Sequence, residues 1–277
     1  MFFMPPRPLL ITSRTNPRIR RIARLRRQRD RREAGVFVAE GFREVGRAMD
    51  AGLQLEELYW NPRLSGMDFD ALAARFPAIA LRPQAVCEVS VPVLEAMTYL
   101  DEPEGIVAVF REPRWEAAQI ASRADWPDLW LVAAGTNKPG NLGAMARSAA
   151  AAGATGIIAA AAEVDAFNPN AIRASTGAVF ILPILRMSAQ AAIDLLHGRG
   201  ATILAAAADA DESYTSADMT GPVALVIGAE DRGLPREWLD AADRRISIPM
   251  RPGPIDSLNA STTAAVLLFE AVRQRGR

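Results

Sequence analysis

The sequence predicts an α/β fold divided into two regions. The chain has 277 residues, half of them apolar, which is enough for one large or two ordinary domains with packed cores. In the second half, short apolar segments alternate with helical patterns, and this alternation predicts a mainly parallel sheet covered on both faces. The first half also mixes strands with helices but is rich in arginine. We therefore predict an N-terminal domain at 12–110, a linker at 111–128 and a larger domain at 129–277.

The elements of the first half follow from apolar periodicity and helix-end signals. An arginine-rich helix is predicted at 16–32 and a second helix at 41–51. Charge and two prolines, Pro113 and Pro127, make 111–128 typical of a linker. The remaining predicted elements are a helix at 68–76 and strands at 36–39, 55–60 and 105–110.

The second half alternates more regularly. Its predicted strands lie at 129–134, 156–160, 202–206, 223–227 and 244–248, and its predicted helices at 142–152, 169–175, 189–197 and 259–274. The common nucleotide signatures are missing from the sequence: no P-loop pattern occurs, and Gly198-Arg199-Gly200 is followed by Ile203 where a dinucleotide fingerprint requires glycine. We therefore expect a sheet protein with a different ligand loop.

Arginine is concentrated between residues 14 and 32, although the formal net charge of the chain is zero. Arginines at this density repel one another unless phosphate neutralises them, so the run is typical of a nucleic-acid-binding surface. A solvated basic helix is the alternative interpretation. The candidate RNA-binding residues are Arg18, Arg20, Arg21, Arg24 and Arg27.

The single cysteine and the single histidine make several classes of chemistry improbable. Cys87 has no second cysteine in the sequence with which to form a disulfide, which is typical of a reducing compartment. His197 precedes Gly198 at a predicted helix end, where it can face the terminal carbonyls. We therefore expect no metal site and no histidine-based catalytic triad.

No segment of the sequence has the pattern of a signal peptide or a membrane span. The apolar start, Met1-Phe2-Phe3-Met4, is followed by prolines and precedes the basic residues, the reverse of a signal peptide. The alanine-rich stretch at 149–162 contains two glycines and is shorter than the ~18 residues that a membrane span needs. We expect a cytoplasmic protein without a membrane segment.

Three segments of the second half each pair a glycine-containing turn with polar residues beside an apolar run. They lie at 138–147, 226–235 and 248–261. Each follows a predicted strand and opens a predicted helix, so the three can meet at one edge of the sheet, where α/β proteins bind ligands. Their polar residues form the candidate catalytic set: Asn141, Arg147, Glu230, Ser257 and Asn259.

Each member of this set has a structural alternative. Asn141, Ser257 and Asn259 could each cap a helix, because serine and asparagine are favoured at that position. Glu230 could form a surface ion pair with Arg232. Arg147 could be a solvated helix residue. Five such residues in three clustered segments nevertheless favour a shared functional role.

In order and spacing, these segments resemble the three motifs of the SpoU (TrmH-like) branch of the SPOUT methyltransferases, which are RNA ribose 2′-O-methyltransferases. The resemblance covers about 129–274. The arginine-rich helix followed by Phe37-Val38-Ala39-Glu40-Gly41 resembles the ribosomal-protein-like RNA-binding domain that many members carry at the N-terminus. The resemblance implies a C-terminal α/β-knot domain with a deep trefoil knot, a smaller α/β N-terminal RNA-binding domain, and a homodimer paired through the knot domain.

The resemblance also implies a cofactor and a reaction. S-adenosylmethionine would be the methyl donor, held largely by main-chain groups of the loops around Gly228, Ile248 and Leu258. The implied function is S-adenosylmethionine-dependent 2′-O-ribose methylation of RNA, with large-subunit (23S) ribosomal RNA as the expected substrate. A transfer RNA target and a non-catalytic RNA-binding assembly factor remain alternatives.

Chemistry suggests roles for the candidate residues. Methyl transfer to a ribose hydroxyl is an in-line displacement, so the site must position the 2′-oxygen and help to remove its proton. Arg147 is expected to grip the target nucleotide rather than act as the base, because the pKa of a guanidinium is about 12.5–13.8. Asn141 would orient Arg147 or the ribose. The remaining candidates, which would shape the pocket, are Glu230, Ser257 and Asn259. Lys138 stands where many family members have Asp, and the insert at 251–256 is proline-rich, so both are expected to reshape the target-base pocket.

Overall fold

The computed structural model describes residues 8–80, 82–160, 164–251, 253 and 257–276. Its internal contacts divide the chain into two units. The N-terminal unit comprises Met1–Pro113 with Phe167–Ile172, and the C-terminal unit comprises Arg114–Ala166 with Arg173–Arg277. The exact domain bounds proposed from the sequence stay a prediction.

Parts of three sequence-based interpretations lie outside the described residues. They concern the apolar start of the chain, the end of the alanine-rich stretch and most of the proline-rich insert. None of the helices in the described ranges combines the length and the apolar character needed to cross a bilayer.

The N-terminal unit is built on a mixed sheet. Its described residues form five strands in the order β1-β4-β3-β5-β2, with β5 antiparallel to both of its neighbours. The strands predicted near Val36, Leu55 and Ile106 are confirmed. The elements in chain order are β1 (Leu9–Ile11), α1 (Pro17–Arg24), α2 (Gln28–Ala34), β2 (Val36–Glu40), α3 (Phe42–Asp50), β3 (Leu55–Trp60), α4 (Pro62–Ser65), α5 (Phe69–Arg75), α6 (Pro77–Ala80), β4 (Val86–Val89), α7 (Val91–Met97) and β5 (Ile106–Arg111).

The prediction of one continuous helix at 16–32 is wrong, because the chain breaks between α1 and α2. Leu25 turns inward and is 2% exposed. The buried Arg31 guanidinium then donates hydrogen bonds to the carbonyl oxygens of Leu25 (2.6 Å) and Arg26 (2.8 Å). These bonds satisfy carbonyls that a continuous helix would have paired with its own main chain.

The C-terminal unit contains the predicted parallel sheet. In the described residues, six strands run in the order β11-β9-β10-β6-β7-β8, and every neighbouring pair is parallel. The elements from residue 129 onward are β6 (Leu129–Ala134), α8 (Pro139–Ala151), β7 (Gly156–Ala160), α9 (Pro169–Ser175), β8 (Ile184–Met187), α10 (Ala189–Gly198), β9 (Thr202–Ala206), β10 (Val223–Ile227), α11 (Arg236–Ala241), β11 (Arg244–Ile246) and α12 (Ala260–Gln274). All belong to the C-terminal unit except the first four residues of α9, which belong to the N-terminal unit.

The core of the C-terminal unit explains the fit between this sheet and its helices. Trp130 and Trp238 are fully buried among alanine, valine, isoleucine and leucine side chains contributed by strands and helices. Burial of apolar area on this scale is the main favourable term in folding.

Sequence patterns missed β8 and α11, and β11 ends two residues earlier than predicted.

The strand order brings the three motif segments to one edge. Strands β6 and β10 are neighbours, and each is followed directly by the loop that carries a motif segment. The third segment follows β11, which lies beyond β9 in the same parallel sheet. Because parallel strands present their carboxyl ends on one side, these loops meet there.

Candidate active site

The carboxylate of Glu230, just beyond β10, is the meeting point of the three segments. It accepts hydrogen bonds from the Lys138 ammonium and from the side-chain amide of Asn141, whose Nδ2 lies 3.1 Å from Oε1. From the third segment it accepts a bond from Asn259 Nδ2, and the main-chain N–H of Ala260 acts on the same carboxylate electrostatically. Residues far apart in sequence are therefore held by one charged group.

The orientation of Asn259 follows from its position at the start of α12. Its Oδ1 accepts a hydrogen bond from the main-chain N–H of Ser261 at 2.9 Å and another from the Ser261 hydroxyl at 2.6 Å. This is an N-cap, so the oxygen is committed to the helix and Nδ2 must face the other way. Nδ2 donates to Asn141 Oδ1 at 3.2 Å and to Glu230.

These donors favour the charged form of Glu230. The Lys138 ammonium, followed by the Asn141 amide, lowers the pKa of the carboxyl below its usual value, and the N–H of Ala260 acts in the same direction. The same bond raises the pKa of Lys138. A carboxylate so occupied is a weak proton acceptor, and its geometry suits it to hold the two amides in place.

Two cavities flank Glu230. The first, which we call the apolar cavity, has a volume of about 260 Å³ and is lined mainly by alanine, isoleucine and main-chain segments. The second, the polar cavity, has a volume of about 190 Å³ and is lined in part by Thr136, Lys138 and Asn141. Glu230 and Ala260 line both. The site thus has two adjoining compartments with one carboxylate between them.

Four residues singled out in the sequence line the apolar cavity. Gly228, Ile248, Ser257 and Leu258 come from two different loops and meet around this one space. Their roles in cofactor binding or catalysis stay predictions.

The turn after β10 requires glycine at position 228. A Cβ atom there would lie 2.6 Å from the main-chain nitrogen of Leu234 and closer still to the carbonyl of Gly233. The turn is closed by two main-chain hydrogen bonds between Ala229 and Gly233, at 3.1 and 2.9 Å. Main-chain atoms therefore form this part of the cavity wall.

Arg147 lies outside the hydrogen-bonded cluster. It is exposed on α8, about a third of a turn (roughly 120°) around the helix axis from Asn141. In the described part of the chain its side chain has no hydrogen bond or ion pair, and Asn141 contacts Glu230 and Asn259. The proposed role of Arg147 in gripping the target stays a prediction.

Sequence reasoning missed two residues of the site. It expected Lys138 to reshape the target-base pocket and named no partner for it, whereas the structure pairs its ammonium with Glu230. It did not identify Thr136, which is 3% exposed and whose hydroxyl has no hydrogen-bond partner among the described residues. Arg232, the suggested surface partner of Glu230, lies instead 3.6 Å from Asp231.

The candidate RNA-binding arginines of the N-terminal unit differ in whether they bond to other side chains of the protein. All five are exposed. Arg18 donates to Cys87 Sγ at 3.2 Å and Arg21 to Glu57 Oε2 at 2.9 Å. For Arg20, Arg24 and Arg27, the described residues provide no hydrogen-bond or ion-pair partner, so these three guanidinium groups can meet phosphate without breaking an internal bond.

Comparison with known proteins gives consistent matches to both halves of the chain. Residues 128–269 match the SpoU rRNA Methylase family, and residues 16–108 match the MRM3-like substrate binding domain. A 23S rRNA (uridine(2479)-2′-O)-methyltransferase of Streptomyces viridochromogenes is 33% identical over 275 residues, covering 96% of this chain and 92% of the relative.

Two crystal structures are similar over nearly the whole chain. An RNA 2′-O ribose methyltransferase has a TM-score of 0.80 and 38% identity, covering 96% of this chain and 99% of the other. An AdoMet-bound rRNA methyltransferase from Sinorhizobium meliloti has a TM-score of 0.84 and 31% identity, covering 95% and 97%.

Proposed function

Because the chain belongs to the SpoU rRNA methylase family, we propose that it methylates ribose 2′-hydroxyls of 23S ribosomal RNA, with S-adenosylmethionine as methyl donor. The observation that carries this proposal is the convergence of the three motif segments on Glu230, between an apolar cavity and a polar one. Such an arrangement suits a reaction that brings a donor and an acceptor together in line.

The apolar cavity fits S-adenosylmethionine. Its alanine and isoleucine lining suits a flat adenine ring, and the close main-chain turn at Gly228 offers peptide groups rather than side chains. Gly228, Ile248 and Leu258 would hold the adenine and ribose of the donor. When bound, the donor supplies an electrophilic methyl carbon, and the displacement needs no metal or covalent intermediate.

The protein's own contribution is positioning. The target ribose would enter the polar cavity, which is lined by Asn141 and by Glu230, the carboxylate to which the amides of Asn141 and Asn259 both bond. Fixed donors and acceptors lower the barrier because they need no rearrangement as charge develops. Ser257 would contribute from the wall of the apolar cavity, and Arg147 would anchor a phosphate of the target strand.

The proposal also covers the assembly and the location of the protein. We propose a homodimer paired through a knotted C-terminal unit, acting in the cytoplasm on RNA bound by the N-terminal unit. The similar Streptomyces viridochromogenes enzyme named for 23S ribosomal RNA, together with the similar Sinorhizobium meliloti rRNA methyltransferase, supports this substrate over the alternatives. Transfer RNA methylation and a non-catalytic assembly role are the other outcomes that experiment must separate.

Incubation with methyl-labelled S-adenosylmethionine and separately purified 23S ribosomal RNA and transfer RNA tests the proposal. Label on a ribose of 23S RNA is the expected result. Label confined to transfer RNA would replace the substrate, and label on a base would overturn the reaction. Donor binding without transfer to any RNA or ribosomal particle would favour the assembly role.

A further inference from the structure

Lys138 is the only lysine in the sequence, and it lies where the first and second motif segments meet. Its ammonium bonds to Oε2 of Glu230, whereas the amides of Asn141 and Asn259 both bond to Oε1. The two oxygens of one carboxylate are thus held from different directions. Without the ammonium, the carboxylate could rotate and carry the Asn141 amide with it, whereas the Asn259 amide is also held by its cap on α12.

We propose that Lys138 is a positioning residue for methyl transfer, which locks the Glu230 carboxylate between the two cavities and so sets the orientation of the Asn141 amide that this carboxylate holds. The activity readout of this inference rests on the proposed function. The structural readout described below does not.

A purely stabilising role does not account for this ion pair. The Lys138 side chain is 70% exposed and that of Glu230 24% exposed. Solvent and salt screen such pairs, so they contribute little to folding. The same bond matters far more for geometry, because Glu230 borders both cavities and small displacements of reacting groups have large effects on rate.

Direct phosphate binding by Lys138 is less compatible with the charges around it. The polar cavity is lined by Glu230 and Asp231, so two carboxylates face one ammonium. Asp231 acts on Lys138 electrostatically and also lies 3.6 Å from Arg232. A phosphate entering beside Lys138 would have to displace Glu230 and would meet Asp231 as well.

Replacement of Lys138 by methionine tests the role in turnover. We expect kcat to fall on the order of 10-fold or more, because the Asn141 amide loses its fixed orientation, while the dissociation constant of S-adenosylmethionine changes little. Lys138→Arg keeps a cation at the same place and should restore most of the turnover. Arg236→Met is the matched control, since it removes an exposed cation 3.5 Å from Asp240 on α11, away from the site.

The pH dependence separates positioning from simple structural loss. Lys138 lowers the pKa of Glu230, so removing the ammonium raises that pKa toward the ordinary value. Glu230 then becomes protonated at a higher pH, and the acid limb of kcat moves upward. Other charges that bear on the pair are Asp231 and the N-terminal end of α12, and both are unchanged in the variant.

A second measurement needs no catalysis. Reductive methylation with ¹³C-formaldehyde labels amines and preserves their charge, and in this sequence the only side-chain signal comes from Lys138. The Lys138→Arg variant lacks that signal and assigns it. We expect the signal to shift with an inflection in the acid range as Glu230 titrates, and the inflection to disappear in Glu230→Gln.

The outcomes are distinct. A Lys138→Met enzyme with unchanged kcat and an unmoved acid limb would overturn the inference, as would a variant altered only in KM for RNA. Multiplicative losses in Lys138→Met combined with Glu230→Gln would also contradict it, because residues acting through one another give losses that do not multiply. If no RNA is methylated by the wild-type protein, the proposed function fails, while the titration of the Lys138 signal still decides whether the pair forms.

Discussion

Asn259 serves two purposes with the two ends of one side chain. Its oxygen caps α12 through Ser261, and its nitrogen faces Asn141 and Glu230. The requirement for a cap thereby fixes the direction of an amide in the site. The same geometry supports a structural role for Asn259 as a helix cap and a functional role as an amide donor in the site. Substitution can separate the two roles.

Asn259→Ser should keep the fold and lose turnover. A serine hydroxyl can still cap α12 but cannot reach Glu230 as an amide donor. Asn259→Ala should additionally lower the free energy of unfolding by about 1 kcal/mol, the usual cost of a lost cap. Urea unfolding and kcat on the RNA substrate measure the two effects. Full activity in Asn259→Ser would show that the amide is not needed.

Arg147→Lys tests whether this exposed side chain anchors RNA. Lysine keeps the charge but not the planar, two-pronged geometry of the guanidinium. We expect KM for RNA to rise by on the order of 3-fold to 10-fold with kcat nearly unchanged. Lost turnover with intact RNA binding would instead place Arg147 in the chemical step.

At the scale of elements, the sequence predicted those strands that have a clear local pattern of their own. The bounds of β6, β7, β9 and β10 are confirmed, since each is a short apolar run between turn signals. Strand β8 was missed because its four residues take their partners from β7, and no pattern within the segment indicates that pairing.

Local sequence patterns could not predict two features of the structure. One is the break between α1 and α2, and the other is the pairing of Lys138 with Glu230. The first depends on where the buried Arg31 guanidinium folds back, and the second joins residues 92 positions apart. Periodicity describes the chain locally, so it finds the segments of the site but not which side chains bond across them.

Gly228→Ala should damage the loop between β10 and α11. The added Cβ would clash with the main chain of Gly233 and Leu234, which cannot move aside as a flexible side chain would. We expect a loss of about 1–3 kcal/mol in the free energy of unfolding and weaker donor binding, measured by urea unfolding and calorimetry.

Gly198→Ala is the control for this substitution, because a Cβ there meets nothing within 4 Å. It should leave donor binding unchanged. Equal effects of the two substitutions would contradict the importance of the close turn.

Removal of charge from α1 should weaken RNA binding through salt-dependent contacts. Arg20→Gln with Arg24→Gln removes two guanidinium groups that have no hydrogen-bond or ion-pair partner among the described residues. The slope of log K against log salt should fall by about 0.7–0.9 for each phosphate contact removed. Arg21→Gln, which breaks the bond to Glu57, should change the slope less. Equal slopes in all variants would argue against an RNA surface on this helix.

At the scale of the whole molecule, the two units have separate cores and separate tasks. One core gathers Ile19, Ile22 and Leu25 of the arginine-rich region against the mixed sheet, and the other surrounds Trp130 and Trp238 in the parallel sheet. The first unit therefore presents its exposed arginines on a packed core, and the second contains the candidate site. Large apolar side chains nevertheless stay exposed on the second unit: Ile181 is 61% exposed and Phe269 49%.

A homodimer formed through the C-terminal unit would cover such side chains, because exposed apolar groups are often interaction sites. Light scattering should give a mass of twice 29.9 kDa. Phe269→Asp should shift the equilibrium toward monomer, since it places a charge on α12 where a partner would pack. Leu10→Asp, a change of similar exposure in the N-terminal unit, should leave the dimer intact. A monomeric mass for the wild-type chain at every concentration would rule out the dimer, and an unaltered dimer in Phe269→Asp would move the interface away from this face of α12.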